Sequence, residues 1–154
     1  MPCIPAHRAR RRPPFFQPVP LRARADGWSV ARQGHFLAHL YLTGSVAAAA
    51  RMVGMSRESA YRLRARAGAE SFAQAWDHVL TPPGSGRVAR PSIAWRKVTL
   101  AALAMRIEMP LVQPLIHRGK VTTIREKWDN SALSRLLRRA DALARRVERR
   151  GQGG

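Results

Sequence analysis

The sequence has almost no cysteine, since Cys3 is the only one among its 154 residues. A single cysteine excludes an internal disulfide and a cysteine-rich metal site, so we expect a reduced, intracellular protein. The basic N-terminus lacks the apolar stretch of a secretory signal. The longest nearly apolar run, residues 98–105, is far below the roughly 20 residues that cross a bilayer. These absences predict a cytoplasmic protein without a membrane partner.

Acidic residues are also scarce, because nine Asp and Glu stand against 28 Lys and Arg, which gives a formal net charge of +19. The carboxylates occur singly, with no pair spaced for acid–base catalysis or for holding magnesium. No phosphate-binding glycine motif ending in GKS or GKT is present. His35 and His39 have the spacing of metal ligands on a helix, but no third ligand lies nearby in sequence. The sequence therefore predicts no enzyme, no catalytic residue, no cofactor and no bound metal.

The basic residues are concentrated at the two ends of the chain, with six in residues 1–27 and eleven in residues 111–154. Such charge makes an anionic partner the expected ligand, with nucleic acid ahead of a membrane. Residues 1–27 are rich in proline and arginine and show no apolar period, so we predict a disordered basic arm. The phosphate contacts predicted for this arm are Arg10, Arg11, Arg12, Arg22 and Arg24.

Residues 44–64, GSVAAAARMVGMSRESAYRLR, have the spacing of a helix-turn-helix. An alanine-rich helix over 46–53 precedes Gly54, which readily adopts the positive φ of a sharp turn. Ser56 can then cap a second helix that begins near Arg57. A plain helical hairpin that binds no nucleic acid is the structural alternative. We favour the DNA-binding interpretation because of the side chains that the second helix would expose.

A helix-turn-helix presents the N-terminal part of its second helix to the major groove, where side chains reach base edges. Burial of Ala60 and Leu63 against the first helix would leave a polar face outside. Arginine can donate two hydrogen bonds to guanine, and glutamate can accept one from cytosine. The DNA-binding candidates are Ser56, Arg57, Glu58, Tyr61, Arg62 and Arg64.

Composition and period divide the chain into five parts. Helices over 29–42 and 69–80 would complete a bundle around the motif. A glycine- and proline-rich stretch then predicts a linker, and a two-residue turn at Arg118 and Gly119 predicts a β-hairpin. The fold class is mainly α, with an N-terminal helical bundle containing a helix-turn-helix, followed by a smaller helix–β-hairpin–helix region. The predicted parts are the arm at 1–27, the DNA-binding domain at 28–80, the linker at 81–92, the helix, hairpin and C-terminal helix at 93–149, and a tail at 150–154.

The second half of the chain has more apolar surface than so few residues can cover. A helix predicted over 93–107 is apolar around most of its circumference. The C-terminal helix carries a short heptad stripe of Leu133, Leu137, Ala140, Ala144 and Val147. We therefore expect a homodimer or a higher oligomer formed through this region. The alternative is that these surfaces pack within one monomer, on the hairpin or on the N-terminal bundle.

Three motifs carry a resemblance to a known family. They are TGSV at 43–46, VGMSRESAYRLR at 53–64 and FAQAWD at 72–77. This region, about a third of the chain, resembles the N-terminal helix-turn-helix of phage terminase small subunits and short helix-turn-helix proteins of alphaproteobacteria and their prophages. More loosely, residues 118–139 resemble a basic hairpin-and-helix segment that follows such domains. The resemblance implies recognition of a packaging-start site, ring assembly and a terminase large subunit as partner.

Two functional hypotheses follow. The first is a sequence-reading protein for double-stranded DNA, acting as a regulator or as a phage-derived DNA-recognition factor in the bacterial cytoplasm, associated with the nucleoid. The second is a non-enzymatic basic protein that coats or assembles nucleic acid, with RNA as a further ligand. Raised salt separates them, because a sequence reader keeps its preference while a coating protein loses affinity uniformly.

Overall fold

The computed structural model describes residues 5–21, 26–88 and 99–153. The described chain is mainly helical with one antiparallel β-hairpin, as the sequence predicts. It divides into two compact units, one comprising Met1–Pro91 with Leu111–Glu126, the other Ser92–Pro110 with Lys127–Gly154. The elements in chain order are α1 Ala6–Ala9, α2 Val30–Thr43, α3 Val46–Met52, α4 Arg57–Arg64, α5 Glu70–Leu80, α6 Leu100–Glu108, β1 Leu111–His117, β2 Lys120–Lys127 and α7 Asn130–Gln152.

Serine caps begin three successive helices of the first unit. The Oγ atoms of Ser29, Ser45 and Ser56 accept hydrogen bonds from backbone amides at the starts of α2, α3 and α4. Each bond satisfies an amide that has no partner within its helix. Gly44 ends α2 in the left-handed conformation with a φ of 69°. The helices predicted over 29–42 and 69–80 are confirmed to within about a residue at each end.

An aromatic cluster forms the centre of the first unit. The ring of Phe36, fully buried on α2, lies 5.5 Å from Trp28, 6.0 Å from Phe72 and 5.0 Å from Trp76 between centroids. The Trp28 and Phe36 rings meet edge to face, a favoured arrangement of aromatic pairs. Large rings compensate for the small alanines of α3, so short helices can still bury a sufficient core.

The N-terminal segment is packed onto this core, and the prediction of a disordered arm is wrong for residues 5–21. Phe16 is 1% exposed and its ring lies 5.9 Å from that of Phe72. The backbone of Phe16 pairs with Val112 of β1 through two hydrogen bonds of 3.0 Å. The absence of an apolar period favours disorder, but irregular segments can bury single large side chains without such a period.

Gln33, fully buried on α2, holds this segment in place. Its Oε1 accepts from the Val19 amide at 2.8 Å, and its Nε2 donates to the Val19 carbonyl at 3.1 Å and the Trp28 carbonyl at 3.4 Å. The side chain thereby satisfies backbone groups of an extended segment that has no other regular partner there. Val19 and Trp28, at the two ends of residues 19–28, thus both form hydrogen bonds with the same side chain of α2.

The β-hairpin belongs to the first unit, which corrects the predicted grouping of residues 93–149. It turns where predicted, with φ values of 50° at Arg118 and 74° at Gly119, both positive as a type I′ turn requires. Strand β1 packs against α2. Gly34 on α2 faces β2, since a Cβ there would lie 3.1 Å from Ile124 Cδ1. The hairpin therefore completes the core around α2 instead of forming a second domain with its flanking helices.

The second unit consists of α6 packed on α7, with Leu103 fully buried. Asp129 caps α7 by accepting from the Ala132 amide at 3.1 Å. Helix α7 extends to Gln152, past the predicted tail boundary at 150. Helix α6 begins at Leu100, and the predicted helical residues 93–98 lie outside the described chain. The predicted linker has no regular element over 81–88, and its remainder is also outside.

Candidate nucleic-acid interface

Helices α3 and α4 cross in a helix-turn-helix. The turn carries Gly54 at a φ of 74°, and the Met55 amide donates to the Ala50 carbonyl at 2.9 Å. Ala50 and Ala60 are fully buried, so only small side chains separate the two helices. Leu63 is 2% exposed on the same side of α4. The predicted turn, cap and buried face are therefore confirmed.

The opposite face of α4 is exposed. Ser56, Arg57, Glu58 and Arg62 are exposed, and Tyr61 is 45% exposed. Ser56 has a structural role besides, because its Oγ accepts from the Ser59 amide at 3.1 Å. Two cationic side chains, one carboxylate and one phenol thus share the solvent side of a single short helix. These groups include the donors and acceptors that distinguish base pairs in the major groove.

Tyr61 contacts an aromatic ring of α5. Its ring centroid lies 5.3 Å from that of Trp76, and the guanidinium carbon of Arg57 lies 5.7 Å from the Tyr61 centroid. Trp76 is nearly buried and contacts Phe36 and Phe72 in the core. The exposed face of α4 is therefore in contact with the aromatic centre of the unit. Such support limits the conformations available to Arg57.

Arg64, one of the predicted DNA contacts, is engaged within the fold. Its guanidinium forms a two-point ion pair with Asp77, with N–O distances of 2.8 Å and 3.0 Å. It also lies 5.1 Å from the Trp76 ring centroid and donates to the Ala73 carbonyl at 3.4 Å. The ion pair is partly exposed, so it contributes modestly to stability. Arg64 fastens α4 to α5, and we remove it from the set of groove-reading side chains.

Three of the five predicted phosphate contacts of the arm donate to backbone carbonyls. Arg10 donates to the Tyr41 and Leu42 carbonyls at the end of α2. Arg11 donates to the carbonyls of Pro82 and Gly86, and Arg12 to that of Ile116. Carbonyls at helix and strand ends have no other regular partner, so a guanidinium serves them well. These bonds hold Arg10, Arg11 and Arg12 against the fold, but Arg12 is still exposed and Arg22 and Arg24 lie outside the described residues, so the phosphate role of the arm stays a prediction.

The histidines predicted to have metal-ligand spacing do not belong to a larger cluster. In the part of the chain that the structure describes, no three His, Cys, Asp or Glu side chains are grouped to hold a metal ion. Burial, and secondly the neighbouring His35, lowers the pKa of His39 below its usual value. Among the described helices, none combines the length and the apolar character needed to cross a membrane.

Trp76 and Asp77 support the candidate interface, a role that the sequence does not reveal. The apolar stripe of α5 places Trp76 in the core alone, and Asp77 has no chemical role in the sequence pattern. Arg64 and Asp77 are 13 residues apart on different helices, so their pairing depends on how α4 and α5 cross. The available signal is the position of Arg64 in the last turn of α4, four residues after the buried Ala60 and so on the same side of the helix.

Comparison with known proteins finds no relative of this chain: no protein-family model, no curated protein and no solved structure matches it. The resemblance to terminase small subunits remains a prediction from three short motifs. We therefore infer the function from the geometry of α3, α4 and α5.

Proposed function

We propose that this protein binds double-stranded DNA by inserting the N-terminal part of α4 into the major groove. One observation carries the proposal: α4 buries Ala60 and Leu63 against α3 while exposing Arg57, Glu58 and Arg62. Docked as other helix-turn-helix units are, this face would contact base edges. Arg57 and Arg62 would recognise guanine and Glu58 cytosine.

The biological role that we propose is sequence recognition, by a regulator of transcription or a phage-derived packaging factor associated with the nucleoid. In the second setting a terminase large subunit would be the protein partner. We further propose that the protein acts as a homodimer or a higher oligomer. The support is the solvent-exposed stripe on α7, where Leu137 is 56% and Val147 70% exposed. A dimer would read two half-sites about one turn of DNA apart.

The test compares binding to a duplex selected from a randomised pool with binding to a random duplex of equal length. Replacing Arg57 or Arg62 with alanine should cost about 1–3 kcal/mol on the selected duplex and much less on the random one. Arg66→Ala is a matched control, because Arg66 is exposed just beyond α4. It should leave the ratio of the two affinities unchanged.

The opposite result would overturn the proposal. If Arg57→Ala and Arg62→Ala lower both affinities equally, α4 does not read bases. If the wild-type protein shows no preference for any selected duplex at raised salt, it is a coating or assembly protein, as its net charge of +19 also permits. Competition by RNA would then identify the preferred nucleic acid.

A further inference from the structure

Helix α7 has its arginines on one side and its leucines on another. It has 23 residues, including seven arginines and two carboxylates. Because residues advance by about 100° each around a helix, the arginines fall within an arc of about 140°. Its leucines and Val147 occupy an opposing arc of about 120°. The arginine arc consists of Arg135, Arg138, Arg139, Arg145, Arg146, Arg149 and Arg150.

The arginine arc is accessible to a partner. Arg138, Arg145, Arg146, Arg149 and Arg150 are all exposed, and Ala132 is the buried residue of the helix. Asp141 and Glu148 lie together at one border of the arc, so its centre carries positive charge alone. The arc is also long, since 23 residues of α-helix extend about 34 Å. That length equals about one helical turn of duplex DNA.

Ordinary helix stabilisation accounts for only part of this arrangement. Arg149 and Arg150 lie in the last turn, where positive charge interacts favourably with the helix dipole. Arg138 and Arg145 lie too far from the C-terminus for that effect, which is confined to the last turn. A solvated helix face commonly alternates charges of both signs to form ion pairs four residues apart. Asp141 and Glu148 have that spacing to Arg138 and Arg145, but Arg146, Arg149 and Arg150 have no carboxylate three or four residues away, and such unpaired spacing suits a repeating anion.

We infer that the arginine arc of α7 binds the phosphate backbone of duplex DNA and supplies the sequence-independent part of the affinity. Guanidinium groups pair with phosphate through two parallel hydrogen bonds, which favours arginine at such contacts. Arg10, Arg11 and Arg12 of the N-terminal segment donate to backbone carbonyls, which leaves them fewer donors for phosphate. This inference rests on the proposed function for its ligand, but it concerns a different surface with a different readout.

The experiment measures the slope of log affinity against log salt on a random duplex and on the selected one. The full-length variant Arg138→Gln, Arg145→Gln, Arg149→Gln removes three exposed charges from the arc and keeps good helix formers. The slope should become shallower by about 2.7 on both duplexes, at about 0.9 for each phosphate that the variant no longer neutralises. The ratio of the affinity for the selected duplex to that for the random one should not change, because that ratio depends on the base contacts of α4. If the wild type shows no preference for the selected duplex, the proposed function is refuted. The salt slope on random DNA still tests the arginine arc in that case.

Two matched variants control for net charge and for folding. Arg8→Gln, Arg66→Gln, Arg87→Gln removes the same charge from exposed positions of the first unit, and its slope should stay near that of the wild type. Arg138→Lys, Arg145→Lys, Arg149→Lys keeps the charge and should restore the wild-type slope. An equally shallow slope in the first-unit variant, or an unchanged slope in the α7 glutamine variant, would overturn the inference.

A membrane surface is the competing anionic ligand, because Trp128, 65% exposed, precedes the amphipathic α7. Co-sedimentation with phosphatidylcholine vesicles containing phosphatidylserine distinguishes the two. We expect the wild type and the α7 glutamine variant to bind these vesicles equally weakly. Strong vesicle binding that the glutamine variant loses, together with an unchanged DNA slope, would assign the arc to lipid headgroups and refute the DNA assignment.

Discussion

Arg62 and Arg64 lie two positions apart on the same short helix, but their side chains have different environments. Arg62 is exposed to solvent, whereas Arg64 pairs with Asp77 and lies over Trp76. Spacing along α4 explains the difference, because two residues rotate a side chain by about 200° around a helix. Two arginines with identical chemistry therefore have different predicted functions, one in recognition and one in holding α4.

Replacing Arg64 with alanine should lower the free energy of unfolding by about 1 kcal/mol, the combined effect of a partly exposed ion pair and a cation–π contact. The preference for the selected duplex over a random one should persist. Arg62→Ala should give the reverse pattern, with unchanged stability and a reduced preference. Urea denaturation and duplex titration measure the two quantities on the same samples. A reduced preference in Arg64→Ala with wild-type stability would restore Arg64 to the groove-reading set.

Local signals allow the residue-level prediction of α3, the turn and α4. Gly54, Ser56 and the small Ala50 act within a few residues of one another, so sequence spacing determines their geometry. The pairing of Arg64 with Asp77 and the bonds of Gln33 to Val19 depend on contacts between distant segments. A single sequence contains no periodic signal for such contacts, so they could not be predicted from it.

The N-terminal segment shows the same limit at the scale of an element. Residues 5–21 lack helical or strand period, yet they pair with β1 and bury Phe16 and Val19. The hairpin itself is predicted with the correct turn, because Arg118 and Gly119 form a local signal. The packing of the hairpin against α2 is not predicted, because the alternating pattern of the strands does not indicate which helix covers the buried side chains of β1. The order of the elements along the chain instead suggests that the flanking helices α6 and α7 cover the hairpin.

Removing one ring tests whether the N-terminal segment is part of the core. Phe16→Ala should lower the free energy of unfolding by about 3–5 kcal/mol, the usual cost of deleting a buried aromatic side chain. Phe15→Ala is the matched control, because its ring is only half-buried, and it should cost less. Thermal or urea unfolding of the full chain measures both. Equal, small losses in the two variants would mean that the segment does not pack in solution as described.

At the scale of the whole molecule, charge and apolar surface are distributed differently between the two units. The first unit carries the helix-turn-helix and uses Arg10, Arg11 and Arg12 to satisfy carbonyls of its own backbone. The second carries α7, with an arginine arc on one side and exposed apolar side chains on the other. The charges that make up the net charge of +19 therefore have different surroundings in the two units. Its exposed part on α7 remains available to a partner.

The apolar stripe of α7 leads to the last prediction, that the protein self-associates through this helix. Helix α6 has nine residues and α7 has 23, so α6 can cover less than half the length of its neighbour. Leu137 and Val147 remain 56% and 70% exposed, and a heptad spacing aligns them with Ala140 and Ala144. Pairing with the same stripe of a second copy would bury these side chains and leave both arginine arcs outside.

Sedimentation of the full chain at micromolar concentration should therefore show a dimer or a larger assembly. Val147→Glu should weaken association at least tenfold, because pairing would bury an unpaired carboxylate. Ala142→Glu introduces the same charge on the arginine side of α7 and should leave association unchanged, since that side faces away from the contact. Both positions are exposed, so neither substitution should disturb the fold of the monomer. A monomeric wild type, or equal disruption by the two variants, would show that the stripe is not the contact surface.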